Sequence, residues 1–328
     1  MFEIMALPRY AVMDGEIVRW EKATVHASTH ALHYGTGVFE GIRAYYAPKE
    51  HELSVWELDA HLERLVRNMS VLDLREGPSK DRMWDMTMKL LRANGFREDT
   101  YIRPLVFLGE GTIRVRPQTQ RTKWVLLTTP LGSYLGKKVI SCAISSWTRV
   151  SNTMIPPAAK ISGAYVNSFL AAMEAARAGY DEAIFLTKEG NVSEGSVENL
   201  FLVRRKTLIT PSVSEDILEG ITRANVMEIA RDLGVAVEER RVPRSELYHA
   251  DEVFLCGTGA GIVAVGEIDG RRVGDGDIGP ITRQVVEQYD LAVHGKLLKY
   301  RNRLTPIYAT APLPLDEERP FSEAEDSA

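Results

Sequence analysis

Two cysteines in 328 residues leave no basis for a disulfide framework or a thiolate metal site. Cys142 and Cys256 stand alone inside apolar, strand-like stretches, and both are expected to be buried, inert thiols. A basic excess is also missing. The 40 Lys and Arg are outnumbered by 45 Asp and Glu, for a net charge of -5, and the cations are scattered beside acids. That pattern argues against a nucleic-acid footprint. No uninterrupted apolar run reaches the ~18 residues that span a bilayer, and residues 1–10 lack the apolar core of a signal peptide. The expectation is a cytoplasmic protein that contacts neither membrane nor nucleic acid and holds no metal. Internal repeats are absent as well.

What is present is ordinary globular material, 45% hydrophobic and 26% charged. The length suits two domains better than one. Asp14-Gly15 between short apolar runs signals a hairpin. Strands are predicted over 38–46 and 53–56, followed by amphipathic helices over 58–72 and 80–93. The second of these stops at Asn94-Gly95, a C-terminal cap signal. Strands over 101–108 and 123–129 complete a small N-terminal α/β domain, residues 1–129. Residues 130–138, rich in Gly, Ser and Pro, read as an interdomain linker. A larger domain, 139–304, carries strands over 139–146, 182–187, 200–203, 207–209, 235–240 and 252–256. Its helices fall over 164–178 and 222–233, and its last hairpin lies at Asp269-Gly270. Such mixing means an α+β or mixed α/β fold. The stretch 305–328 combines four prolines with six acids, a composition that suits a disordered tail.

Three features could carry chemistry. Lys160 lies in Met154-Ile-Pro-Pro-Ala-Ala-Lys-Ile161, almost without polar neighbours. An apolar setting disfavours the ammonium form and prepares the amine as a nucleophile, as Schiff-base chemistry requires. Second, Leu218-Glu-Gly-Ile-Thr222 leads into a predicted helix, with Thr222 as its cap. Gly220 allows close backbone approach, and the helix N-terminus favours an anion. On sequence alone a plain threonine N-cap is the favoured reading of this segment. The turn Cys256-Gly-Thr-Gly-Ala-Gly261 could add a nest of N–H groups. Third, Glu194 is a carboxylate that, set against a pyridine nitrogen, would keep it protonated. Its neighbour Glu198 is a rival for that role.

The segment His33-Tyr-Gly-Thr-Gly-Val-Phe-Glu-Gly-Ile-Arg-Ala-Tyr45 resembles the N-terminal signature of branched-chain aminotransferases, members of the fold-type IV pyridoxal-phosphate enzymes. Tyr101-Ile-Arg-Pro-Leu105, Gly132-Ser-Tyr-Leu-Gly136, Pro157-Ala-Ala-Lys160, Ser193-Glu-Gly195, Glu198-Asn-Leu-Phe201, Gly220-Ile-Thr-Arg223 and Ala250-Asp-Glu-Val-Phe254 follow in that family's order. The resemblance implies a small α/β domain and a pseudo-barrel domain, pyridoxal 5'-phosphate as cofactor, and at least a homodimer. It implies ping-pong transfer of an amino group from leucine, isoleucine or valine to 2-oxoglutarate. Lys160 would carry the Schiff base and Glu194 would face the ring nitrogen. Arg64, Ile221 through its backbone, Thr222 and Thr258 would hold the phosphate, and Tyr165 the phenolic oxygen. Tyr34, Phe39, Gly41 and Tyr134 would line a pocket for an aliphatic chain. Tyr101 with the backbone of Thr258 and Gly259 would take the α-carboxylate, and Arg103 the distal carboxylate of glutamate.

Three departures from the family pattern qualify these assignments. Gly259 stands where alanine is usual, and Val197 replaces a small residue. The loop Gly109-Glu-Gly-Thr-Ile-Arg-Val-Arg-Pro117 carries Glu110, Arg114 and Arg116 in place of apolar residues. Arg114 or Arg116 is therefore expected to alter specificity. Alternative readings are a transaminase of D-amino acids or (R)-amines and an aminodeoxychorismate-lyase-like enzyme.

Overall fold

The computed structural model describes residues 8–111, 113–117, 121–132 and 136–308. By backbone contacts the chain forms two compact units, Met1–His33 with Phe39–Gly132 and Val293–Ala328, and Tyr34–Val38 with Ser133–Ala292. Each is described by itself.

The first unit begins with the hairpin that Asp14-Gly15 signals. Strands Tyr10–Met13 and Glu16–Arg19 pair with Met13 opposite Glu16. Asp14 at φ 50° and Gly15 at φ 91° supply the two left-handed residues that a tight hairpin needs. The sheet runs, in spatial order, Leu304–Pro306, Glu52–Trp56, Ile42–Ala47, Thr100–Leu108, Thr122–Pro130, Tyr10–Met13, Glu16–Arg19. Every one of these neighbours is antiparallel. Helix Leu58–Val71 buries Leu58, Leu62, Leu65 and Met69 at helical spacing. Helix Lys80–Asn94 starts on Ser79, whose hydroxyl accepts from the Arg82 N–H, and ends on Gly95 at φ 66°.

Two expectations need correcting here. The single strand read over 38–46 is two, Gly37–Phe39 and Ile42–Ala47, broken where the side chain of Glu40 is buried. The start of the stretch read as a disordered tail belongs to the sheet instead: Thr305 and Pro306 pair with Val55 and Ser54, and Ile307 is buried. Residues 309–328 lie outside the described residues.

The second unit holds a sheet ordered Val192–Gly195, Glu182–Leu186, Val139–Thr148, Gly261–Ile268, Glu252–Gly257, Asn199–Arg204, Thr207–Pro211, Ala236–Arg240. Parallel pairs join Val139–Thr148 to both neighbours and Thr207–Pro211 to Ala236–Arg240, and the rest are antiparallel. Phe201 and Phe254, both fully buried, stack at 5.0 Å in its core. Cys142 and Cys256 are buried free thiols that burial pushes above the usual range.

Helix Pro280–Val293 escapes the sequence reading because its cap comes from far away. The Glu252 carboxylate accepts the Ile281 and Thr282 N–H groups at 3.0 and 2.7 Å and the Thr282 hydroxyl at 2.6 Å. Gly279 makes room for it, since a Cβ there would come within 2.2 Å of that carboxylate. Among the described residues no helix is long and apolar enough to cross a membrane.

Candidate active site

Lys160 ends a loop whose next residue, Ile161, bridges to Val38. The lysine is half-buried, and its Nζ donates to the Tyr165 hydroxyl at 2.7 Å. Tyr165 is the first residue of helix Tyr165–Arg177, so the start of a rigid element aims its ring. Gly35 and Gly163 pack backbone on backbone beside it, with the Gly163 N–H donating to Gly35 O at 3.0 Å. A Cβ on Gly35 would lie 2.5 Å from the Gly163 Cα. Tyr34 precedes this contact and is exposed at 41%.

Glu194 sits in strand Val192–Gly195, only 4% exposed. Arg149 pairs with it at 2.8 Å, and it accepts from the Asn199 amide at 2.9 Å and the Leu218 N–H at 3.1 Å. Burial raises its pKa, opposed by the charges of Arg149 and Lys160. The two acids that sequence left as rivals are now distinct. Glu198, 2% exposed, has one carboxyl oxygen with no hydrogen-bond partner among the described residues. Burial and the charge of Glu182 push it well above the usual carboxylate range. Both carboxyl groups are pushed up by burial, but Glu194 has a guanidinium and two N–H donors to offset it, whereas Glu198 has an acid beside it that pushes it further.

The Asn199 amide also donates to Leu218 O at 2.9 Å, tying Glu194 to the loop before helix Ile221–Asp232. Gly220, not Thr222, holds the cap position, and glycine is needed there because a Cβ at 220 would come within 1.9 Å of the Asn199 Oδ1. Thr222 therefore lies inside the first turn, buried, with its hydroxyl 3.4 Å from that of Thr258. Thr258 and Gly259 occupy the turn between strands Glu252–Gly257 and Gly261–Ile268. Two hydroxyls thus meet at the positive end of a helix, an arrangement suited to a phosphate.

The first unit holds a second constellation. Tyr101 and Arg103, two apart on strand Thr100–Leu108, share a face. The Arg103 guanidinium donates to the Tyr101 hydroxyl at 2.9 Å and lies 4.6 Å from the Phe39 ring centroid. Only glycine fits at 41, since a Cβ would stand 2.1 Å from the Tyr101 hydroxyl. A cation braced by two rings beside a tyrosine hydroxyl offers both apolar walls and a carboxylate partner. Arg64, which sequence alone leaves as a helix-surface charge, is 5% exposed and bound to Glu40. Arg114 and Arg116 are exposed. Tyr134 lies outside the described residues.

Residues 37–268 match the amino-transferase class IV family. The chain belongs to that family. Among its relatives, a probable branched-chain-amino-acid aminotransferase of Aquifex aeolicus (strain VF5) is 44% identical over 301 residues, 91% of this chain and 97% of the relative. A solved branched-chain aminotransferase of Thermoproteus uzoniensis, with norvaline, superposes at TM-score 0.88 with 42% identity, over 92% of this chain and 100% of that one. The branched-chain amino acid aminotransferase of T.th., complexed with N-(5'-phosphopyridoxyl)-L-glutamate, gives TM-score 0.87 and 39% identity, over 91% and 98%. This class IV aminotransferase accordingly has the fold-type IV architecture, with pyridoxal 5'-phosphate as its cofactor. The second unit's donors fit that group: an amine on a tyrosine hydroxyl, a buried carboxylate for a ring N–H, and threonine hydroxyls at a helix N-terminus. Sequence reasoning gave no role to Arg149, Asn199, Glu40 or His61. Glu40 and Asn199 lay within quoted motifs, while Arg149 and His61 fall outside them and depend on contacts with residues distant in the chain.

Proposed function

We propose that this aminotransferase moves the amino group of leucine, isoleucine or valine to 2-oxoglutarate by a ping-pong mechanism. The observation that carries the reading is the Lys160–Tyr165 contact in the same unit as a buried carboxylate paired to Arg149. The branched-chain names of relatives at this identity support the substrate class, and the phosphopyridoxyl-glutamate complex of one supports glutamate as the other. When bound, pyridoxal 5'-phosphate supplies a carbonyl carbon for the amine and an electron-accepting ring.

The residues do the rest. Lys160 would bind the cofactor through Nζ and then move the proton between the substrate Cα and the cofactor's C4′. Tyr165 orients that amine and holds the phenolic oxygen. Glu194, paired with Arg149 and hydrogen-bonded by the Asn199 amide, faces the ring nitrogen and would keep it protonated. Thr222, Thr258, the Ile221 N–H and Arg64 hold phosphate. Tyr101 and the backbone at Thr258 and Gly259 take the α-carboxylate. Arg103 serves the distal carboxylate of glutamate, and Phe39, Tyr34, Tyr134 and Gly41 leave room for an aliphatic chain. A cytoplasmic enzyme, at least a homodimer, completes the reading, and light scattering tests the assembly.

Purified protein should be yellow, and L-leucine should bleach that band. A colourless protein, or a Lys160→Ala variant that still turns over, refutes the mechanism. Faster bleaching by a D-amino acid or an (R)-amine than by L-leucine would refute the substrate class alone.

A further inference from the structure

We propose that Glu40 is the positioning residue of Arg64, fixing the guanidinium in the orientation in which it meets a phosphate; this rests on the reading of Arg64 as a phosphate ligand. Glu40 lies between strands Gly37–Phe39 and Ile42–Ala47 and is fully buried. Its Oε1 accepts from the Arg64 Nε at 2.5 Å. Its Oε2 accepts from an Arg64 terminal nitrogen at 2.8 Å, the His61 Nδ1 at 2.8 Å and the Gly41 N–H at 3.3 Å. His61 and Arg64 stand three apart on helix Leu58–Val71 and so share the face that meets this carboxylate.

The geometry says what such a group does. A fork through Nε and one terminal nitrogen fixes both the plane and the rotation of a guanidinium, leaving the rest of its donor edge set in direction. An arginine held this way loses little side-chain freedom when an anion arrives. Four donors occupy the two oxygens of Glu40, so its influence on a ligand passes through Arg64. His61 and the Gly41 N–H hold the carboxylate itself, which keeps the fork from drifting with the long arginine side chain. Burial disfavours the Glu40 charge, yet the Arg64 guanidinium and the hydrogen bonds of His61 and Arg64 outweigh it and keep the carboxyl below the usual range.

The experiment reads phosphate preference. Full-length protein stripped of cofactor is titrated with pyridoxal 5'-phosphate and with pyridoxal, and the ratio of the two Kd values isolates the phosphate contribution. Glu40→Gln is expected to lower that preference about tenfold, the scale on which outer partners of a ligating side chain act, with the pyridoxal Kd nearly unchanged. A lesion of folding alone would shift both Kd values and leave the ratio, which overturns the proposal. So does a raised ratio, which would make Glu40 a competitor of the phosphate. If Glu40→Gln does not fold, His61→Leu, which removes one anchor of the same carboxylate, must lower the ratio in the same direction. Arg64→Ala separates the two levels: if it leaves the ratio intact, the phosphate role of Arg64 fails. If it lowers the ratio and Glu40→Gln does not, only the positioning role fails.

Discussion

Glu194→Gln and Glu198→Gln remove a carboxyl group from the same short motif and should have opposite consequences. At 194 the amide keeps the shape but leaves the Arg149 guanidinium, 7% exposed, without the anion now 2.8 Å away. Breaking a buried pair from one side costs about 3–5 kcal/mol. The lower end is expected here, because Arg149 keeps its Ser168 contact at 3.3 Å and its place over the Phe185 ring at 5.4 Å. On the proposed role of Glu194 at the ring nitrogen, removing its charge should lower turnover about 10²–10³-fold, the size of losing one preorganised electrostatic group.

Glu198 behaves differently because no cation pairs with it: the Val197 N–H at 3.3 Å and the more distant charge of Lys160 do not offset its burial and the charge of Glu182. Burial and Glu182 raise its pKa on folding, so the native chain retains a proton that the unfolded chain releases. Its contribution to stability is then full below the ordinary value of 4.5 and drains away as pH rises toward the folded value. Glutamine has no such proton to lose. Glu198→Gln should therefore gain on the wild type as pH rises above the ordinary value of 4.5, by up to about 1.4 kcal/mol per pH unit until the folded value is passed. For a chain of this length that is about 2 °C of Tm per pH unit. Calorimetry of both proteins across that range, with single-turnover bleaching by L-leucine, reads both halves. A Tm gap that does not widen with pH, or a Glu198→Gln loss of turnover as large as that of Glu194→Gln, would refute the assignment of charge.

Three glycine and core substitutions test the rest of the geometry. Gly41→Ala forces the Tyr101 hydroxyl from its place 2.1 Å from the new Cβ; kcat/KM for leucine should fall about 100-fold, as for a group displaced by about 1 Å, and unchanged kinetics would contradict it. Gly220→Ala sits at φ -68° and ψ 132°, comfortable for alanine, so any effect comes through Asn199; fluorescence titration should show pyridoxal 5'-phosphate affinity reduced about tenfold. Phe201→Ala removes one ring of the buried stack with Phe254 and should cost about 3–5 kcal/mol in denaturant unfolding, while leucine turnover in the folded fraction stays near wild type.

The parts of the fold that sequence disclosed are those whose causes are local. Asp14-Gly15 makes its own turn, and Ser79 and Gly95 begin and end their own helix within a few residues of the chain they control. Helix Pro280–Val293 went unread because Glu252 supplies its cap from 28 residues upstream of Pro280. The same division runs through the site. Lys160 could be singled out from its apolar neighbours and Thr222 from its glycine and helix. Neither the buried state of Arg64 nor the choice between Glu194 and Glu198 has a local cause. Both acids lie in one motif, both are buried, and both have backbone N–H groups in reach. What separates them is Arg149, 45 residues before Glu194, which reaches one carboxylate, while Glu182 crowds the other. A charge is decided by everything packed around it, and in a folded chain most of that comes from elsewhere in the sequence.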